Sequence, residues 1–503
     1  QPPDLGFFAD PSGLAGYPQA NEQGESALRY ALLACAGSDA QQARAAVMAA
    51  ENEHGMRRAW LWARMERSPL ASALEYLVQV AERGAAAPIG QTPAELAASY
   101  QQNGWQVDWA ALKALACVHA KAELEAVGAA LRAVYLPWLQ EAARRLQEAA
   151  KSAGGLPALS EASLAGQPAG TCIVFVDCLR YDVAVRLCER LSSLGAVQLS
   201  ARWTSLPSVT ASGKAWCSPV AVHIAGTVED VEFEPRVAAD GKPLSGPNFR
   251  KLLSEHGVQP LSGHETGEPQ GLAWTEAGDL DHYGHEHGVR LARDIDAQLD
   301  RVVERVGELC EAGWKRIRIV TDHGWLLLPG GLPKTELPKH QTETRWGRCA
   351  VLKDTAHGTA LTFGWDWCKE VQVAYAPGIA SFVAGAEYAH GGISLQECLV
   401  PVLQVDLVEE AGQGASVAIQ VVTWKGLRCT VTVEGGMPGH RVDIRTKAAL
   451  ASSSLAASVK AVENGKASLA VADDEHMGAA AVVVVLDAQG SVLQKQATTV
   501  GGI

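Results

Sequence analysis

No stretch of this chain is apolar for long enough to cross a membrane. The longest such run, "AAAVVVVL" near the carboxyl end, falls far short of the roughly 20 residues a spanning helix needs. No secretory leader opens the sequence. No C-x-x-C pair occurs among its 11 cysteines, an odd number. These absences argue against a membrane-spanning protein and against a disulfide framework, and lead to the expectation of a cytoplasmic protein with reduced thiols. An excess of positive charge is missing too. The net charge of -13 argues against tight, non-specific nucleic-acid binding across the whole surface and leaves room only for a local basic patch. There is no low-complexity tail. The first residue is Gln1 rather than Met, and an upstream segment is expected.

What is present is the composition of an ordinary globular protein, 48% hydrophobic and 20% charged. A length of 503 residues predicts about two to four domains. Residues 1–160 are rich in Ala, Leu, Glu and Arg. Between Trp109 and Lys151 the apolar residues Leu112, Leu115, Val118, Leu124, Val127, Leu131, Val134 and Trp138 recur at helical spacing, with Pro137 expected to kink or interrupt the helix. "GMRRAWLWARM" reads as a further helix. An α-helical domain is therefore expected here. It is expected to dock on the rest, to contact a partner protein through residues such as Trp60, Trp62, Trp105 and Trp109, and to be dispensable for catalysis. A linker rich in Gly, Pro and Ser follows (residues 151–170).

Residues 166–405 change character. "TCIVFVD" is a continuous apolar run that ends in Asp, the pattern of a strand buried on both faces of a mostly parallel sheet. "DVAVRLCERLSSLG" follows as a helix stopped by Gly195. "KRIRIVTD" is a second strand ending in Asp, preceded by the helix "RDIDAQLDRVVERVGELCEAG". Such alternation predicts an α/β core, in which ligands sit outside the carboxyl ends of the strands. In residues 406–503 the helical patterns vanish, and short β-type runs separated by Gly predict a β-sandwich-like domain.

Chemistry-bearing residues concentrate in the α/β region. Asp177 ends one buried strand; Asp322 and His323 end another, beside Gly324. "DHYGHEHG" sets Asp281 and His285 four residues apart, within reach of one face of a helical turn, and His390 stands in "EYAHGGISLQE". Three Asp and three His suit two hard, oxygen- and nitrogen-lined sites for divalent ions. Such a pair could serve an attacking and a leaving oxygen on phosphorus. "TSLPSVTASGKAW" supplies hydroxyls, of which Thr210, Ser205, Ser208 and Ser212 are rivals on chemistry alone. Arg180, Arg345 and Arg348 could hold phosphate, with a salt-bridged surface role favoured for Arg348. Lys339 and His340 could flank the pocket. A sulfatase-like reading fails because "WCSPV" has Cys217 and Pro219 but no Arg two residues on.

The order of these pieces is that of the alkaline phosphatase superfamily. Within it, "VDCLRYD", "LPSVT", "DHYGHEHG", "TDHGW" and "AHGGISLQE" resemble motifs of the PglZ family, over roughly residues 170–405. The resemblance implies an alkaline-phosphatase-like metallohydrolase core. Asp177, Thr210, Asp322 and His323 would hold one ion, and Asp281, His285 and His390 the other, with Thr210 as nucleophile. Zinc is the first choice of metal, manganese and magnesium the alternatives. The resemblance further implies a phosphodiesterase or nuclease acting with other proteins of a BREX or Pgl anti-phage system, on DNA or nucleotide phosphodiesters. The runner-up is a scaffold that keeps the metal site and assembles the complex without catalysis.

Overall fold

The computed structural model describes residues 15–157, 167–353, 361–407, 417–435, 439–448, 450–487 and 490–502. They form two compact units, the first ending at Leu407 and the second beginning at Val408.

The first unit opens with helices α1 (Pro18–Leu33), α2 (Ala40–His54), α3 (Leu61–Arg64), α4 (Pro69–Arg83), α5 (Pro93–Ser99), α6 (Trp105–Ala116) and α7 (Lys121–Ala153). "GMRRAWLWARM" is only a 3-10 turn, Gly55–Ala59, and the short α3. The predicted helix from Trp109 is broken between Ala116 and Lys121, where Glu123 turns back to accept from the amides of His119 and Ala120. By contrast α7 runs straight through Pro137. A proline inside a helix costs ~3 kcal/mol. Here it is flanked by Val134, Tyr135, Trp138 and Leu139, all buried, and that packing outweighs the loss.

The core is a six-stranded sheet of β1 (Thr171–Phe175), β2 (Gly195–Trp203), β3 (Val258–Pro260), β4 (Leu272–Glu276), β5 (Arg316–Val320) and β6 (Leu399–Leu407), in the order β2-β6-β5-β1-β4-β3. Five strands run one way and β6 runs against them. Alternate residues of β1 enter two different apolar clusters: Cys172 and Val174 on the side of α8 (Tyr181–Leu191), Ile173 and Phe175 on the other. That two-sided burial is why the strand reads as an unbroken apolar run. Gly195 does not stop α8, which ends at Leu191 with Ser192 as its cap. It opens β2, whose backbone lies so close to Asp406 of β6 that no side chain fits.

The helical layer and this sheet share one continuous apolar core. Gln147 of α7 donates to Gly378 O (2.9 Å) and Ile393 O (3.0 Å) and accepts from Gly378 N (2.8 Å). Trp105 and Trp109, expected to face a partner, are half-buried against that same core. A separate antiparallel sheet (Thr342–Arg345, Cys349–Leu352, Thr362–Trp365, Cys368–Tyr375) forms in a region for which no strands were predicted.

The second unit is all-β, as its composition predicted. Its two sheets, of three and four strands, share a core that includes Val431, Val442, Ile444, Val483 and Val485.

A candidate dinuclear metal centre beside a threonine

Three adjacent parallel strands, β5, β1 and β4, end at one edge of the sheet, and the chemistry-bearing residues follow directly from those ends. Asp177 lies two residues past β1, and Asp322 and His323 just past β5. Beyond β4 comes α11 (Leu280–His287), after α9 (Thr210–Trp216) and α10 (Gly246–Glu255). Asp281 and His285 are one turn apart on α11 and so share a face. His390 follows a short strand, Tyr388–Ala389, paired with Leu326–Leu327.

The loop after β5 is tightly held. Asp322 Oδ1 accepts from the amides of Cys178 (3.1 Å) and His323 (3.0 Å), and Thr321 Oγ1 accepts from Leu179 N (2.9 Å). The two loops thus brace each other. Thr204 donates its hydroxyl to Asp322 O. Two glycines allow close approach. A Cβ on Gly213 of α9 would lie 2.7 Å from Asp322 O, and one on Gly324 would collide with Gln396 O.

Two groups of ligand atoms result, Asp177–Asp322–His323 and Asp281–His285–His390, each with its atoms within 4.8 Å of one another. His323 is wholly buried. Its Nδ1 faces Gly324 O at 3.0 Å, which assigns the proton there and leaves Nε2 as the free lone pair. That Nε2 is 3.0 Å from Thr210 Oγ1 and 3.6 Å from Asp322 Oδ2. His390 is arranged alike: Nδ1 meets Ser208 O at 3.2 Å, while Nε2 lies 3.0 Å from His285 Nε2 and 3.4 Å from Asp281 Oδ1. Burial and the neighbouring imidazole of His323 push His390 down to about 3, so it is a neutral imidazole at physiological pH.

This donor set fits divalent ions. Asp177 Oδ1 and Asp322 Oδ2 are buried with no hydrogen-bond partner among the described residues. A buried carboxylate oxygen in that state calls for a cation. Two imidazole nitrogens face each other across 3.0 Å, as ligands of one ion do. Burial, then the charges of Asp322 and Asp281, hold the Asp177 carboxyl well above the usual range. In the metal-free protein it therefore keeps its proton to higher pH than an ordinary carboxyl does. Since folding raises the pKa of this acid, its contribution to stability is greatest below the ordinary carboxylate value and falls as pH rises toward the raised one. Metal-free protein is expected to lose Tm as pH rises over that window. Zinc should restore more Tm at high pH than at low, because the ion must displace the proton. Melting curves with EDTA and with zinc from pH 5 to 8 check this; a zinc increment that shrinks with rising pH would contradict it.

The competing hydroxyls separate cleanly. Ser208 donates to Gly392 O (2.8 Å), and Ser212 accepts from Ser205 Oγ (3.1 Å) and Trp365 Nε1 (2.9 Å), all three serines being buried. Thr210, half-exposed at the first turn of α9, is the hydroxyl that faces His323.

The expected phosphate-binding residues lie elsewhere. Arg180 is buried, clamped on Asp182 (2.6 and 2.7 Å), and sits 3.8 Å over the ring of Trp325. Arg345 donates to Leu337 O (3.1 Å) and Phe382 O (2.7 Å), and His340 is exposed on a 3-10 turn with Lys339. None of these lines the cavities at the metal-ligand cluster. Arg348 is salt-bridged, but in the interior: it grips Glu397 (2.8 and 3.0 Å), and Glu397 accepts from Gly392 N (2.8 Å), fixing the loop that carries His390.

Three residues at the centre went unread in the sequence. Lys214, one turn after Thr210 on α9, lines the same cavity and pairs with Glu276 at 2.7 Å. The signal was the four-residue spacing in "TASGK". Tyr388 donates to Asp281 Oδ1 (2.9 Å), and its hydroxyl is 2.6 Å from Cys178 Sγ. Cys178 has a left-handed backbone (φ 66°) and, with Asp281 and His323, forms a third ligand cluster. Nothing local in the sequence marks either of these two.

No family model matches the chain, and no curated protein matches it. Among solved structures it is similar to murine ectonucleotide pyrophosphatase/phosphodiesterase 5, with 13% identity and a TM-score of 0.30 over 47% of this chain and 87% of that one. It is also similar to phosphonoacetate hydrolase from Sinorhizobium meliloti in complex with phosphonoformate, with 14% identity and a TM-score of 0.32 over 48% of this chain and 91% of that one.

Proposed function

We propose that this chain is a metal-dependent phosphoester hydrolase in which Thr210 is the nucleophile. The observation that carries the proposal is the half-exposed Thr210 hydroxyl, 3.0 Å from His323 Nε2, beside two clusters of carboxylate and imidazole donors. Asp177, Asp322 and His323, with Thr210, would hold one divalent ion; Asp281, His285 and His390 would hold the other. Ions bound there lower the pKa of a coordinated hydroxyl and neutralise charge that develops on phosphoryl oxygens.

The protein's own groups do the rest. Gly324 O fixes the His323 ring so that Nε2 meets the Thr210 hydroxyl. Lys214, one turn further along α9, is held by Glu276 at 2.7 Å. Thr210 Oγ gives its proton to solvent and forms a bond to phosphorus, the ester P–O bond breaks, and the alkoxide leaves as the alcohol with a proton from water. Water then adds to phosphorus, the P–O bond to Thr210 breaks, the phosphate product is released, and Thr210 Oγ regains a proton. A phosphodiester is the preferred substrate, nucleic acid being one form of it. The motif order that resembles the PglZ family supports the same reading and extends it to a BREX or Pgl defence complex, with partner proteins of that system, in the cytoplasm. Among the described residues no helix is long and apolar enough to cross a membrane.

Elemental analysis of the purified protein, paired with hydrolysis of bis-p-nitrophenyl phosphate, is the test. About two divalent ions per chain and activity abolished by EDTA are expected. Asp322→Asn or His323→Ala should lose roughly 10²-fold or more in kcat with the fold intact by circular dichroism. Wild-type rates in both variants would refute the assignment.

A further inference from the structure

Thr210 opens onto a groove of about 520 Å³ that shares Glu276 with the smaller cavity holding Asp177, Asp281 and His285. We propose, on the reading of Thr210 as the nucleophile, that this groove receives the organic substituent of the phosphoester as one flat, uncharged ring system, an aryl group or a nucleobase.

The walls argue for a flat apolar guest. Phe249 and Leu253 of α10 form one side, and Ala211 and Ala215 of α9 the other, with Trp274 of β4 between. Phe249 meets Trp274 edge to face at 5.6 Å, and Phe175 stacks against Trp274 at the same separation. This rigid aromatic wall is set before any ligand arrives. Leu244 and Leu261, both half-buried, complete the apolar lining.

The charges argue against a second phosphate in the groove. Its two cations are already engaged: Lys214 with Glu276 at 2.7 Å, and Arg250 with Ser262 Oγ and with Pro260 O at 3.3 Å. Glu234 adds an exposed carboxylate. The two carboxylates balance the two cations, so the groove has no net positive charge to draw an anionic tail. An uncharged ring meets a surface it can dry, and its burial contributes affinity in proportion to the apolar area covered. The volume holds one such ring system with its sugar or linker.

The test uses binding to the zinc-loaded protein by calorimetry, in two pairs of probes. Phenylphosphonate is compared with methylphosphonate, and adenosine 5′-monophosphate with ribose 5-phosphate. Within each pair the phosphoryl head is the same and only the ring differs. A preference for the ring-bearing member of roughly 10- to 100-fold is expected in at least one pair, the order for burying one ring, and the preferred pair identifies aryl or nucleobase. Leu244→Trp and Leu261→Trp, which fill the groove from half-buried positions, should each bring that ratio toward one while leaving methylphosphonate affinity and the Tm-monitored fold in place. Equal affinity within both pairs, or a ratio unmoved by both variants, overturns the inference. If the ring-free probes bind and metal-dependent hydrolysis persists, that failure belongs to the groove alone. If no probe binds and no hydrolysis is seen, it is the assignment of Thr210 and the metal centre that has failed.

Discussion

Thr210→Ala is expected to lower metal-dependent phosphodiester hydrolysis by roughly 10⁴-fold or more, the order observed when a catalytic nucleophile is removed. A methyl group cannot form the bond to phosphorus, and no other hydroxyl is placed to substitute. Ser205, Ser208 and Ser212 are buried and committed to hydrogen bonds inside the protein. Because Asp177, Asp322 and His323 remain, the variant should still bind metal, and its Tm should change little. Ser212→Ala is the contrasting case. It removes the partner of Trp365 Nε1 and of Ser205 Oγ, so about 1–3 kcal/mol of stability should go, with a small effect on kcat. Steady-state rates and melting curves on the variants decide the matter. If Ser208→Ala proved more damaging to kcat than Thr210→Ala, the nucleophile would have been placed in the wrong register. Loss of all bound metal in Thr210→Ala would show that the carboxylate and imidazole donors do not suffice.

Removing residues 1–166 is expected to leave a chain that does not fold, which reverses the expectation that the helical region is dispensable. Leu131, Val134, Leu139 and Leu146 of α7 belong to the same apolar cluster as Leu327, Ile393 and Leu395 of the α/β core. Fully burying each such side chain contributes ~1.5–3 kcal/mol, whereas a whole domain is stable by only ~5–15 kcal/mol. Losing more than a handful exceeds the total. The polar contacts point the same way. Gly378, Ile393 and Gln396 of the core would each lose a buried partner, Gln147 for the first two and Asp108 for the third. Asp108 is itself raised to about 6 by burial, despite the charge of Arg180, and accepts from Tyr100, Tyr135 and Gln396 in one dry network that joins helices to core. A chain of 167–503 should therefore be insoluble or lack near-ultraviolet dichroism. Gln147→Ala in the full chain offers a graded version, with about 1–3 kcal/mol lost. A soluble, cooperatively melting 167–503 chain with metal-dependent activity would show that the helical layer is accessory after all.

The division between what could be read and what could not follows from range. "TCIVFVD" and "KRIRIVTD" were legible as strands because burial on both faces removes every polar residue from the run, and their terminal Asp residues marked the edge where ligands collect. "DHYGH" was legible as a same-face pair because helical spacing alone brings residues four apart onto one face. The all-β character of the second unit was legible from its short runs and glycine breaks. Long-range packing hid the rest. β2 was missed because only its last residue is buried and glycine opens it, and only pairing with β6 makes it a strand. Pro137 stays helical because it is itself exposed while its neighbours Val134, Tyr135, Trp138 and Leu139 are packed into the core. Four hydroxyls within eight residues were equivalent on chemistry alone, and the fold separated them by turning three inward and leaving Thr210 at His323. Arg180 and Arg345 were sensible phosphate ligands by residue type, but buried partners had already taken their donors. By itself the sequence determined which residue types could meet at the ends of the strands. Only the tertiary structure decided which of them do, because a side chain's role depends on partners brought from 100 or more residues away, as Thr210 and His323 are, 113 apart.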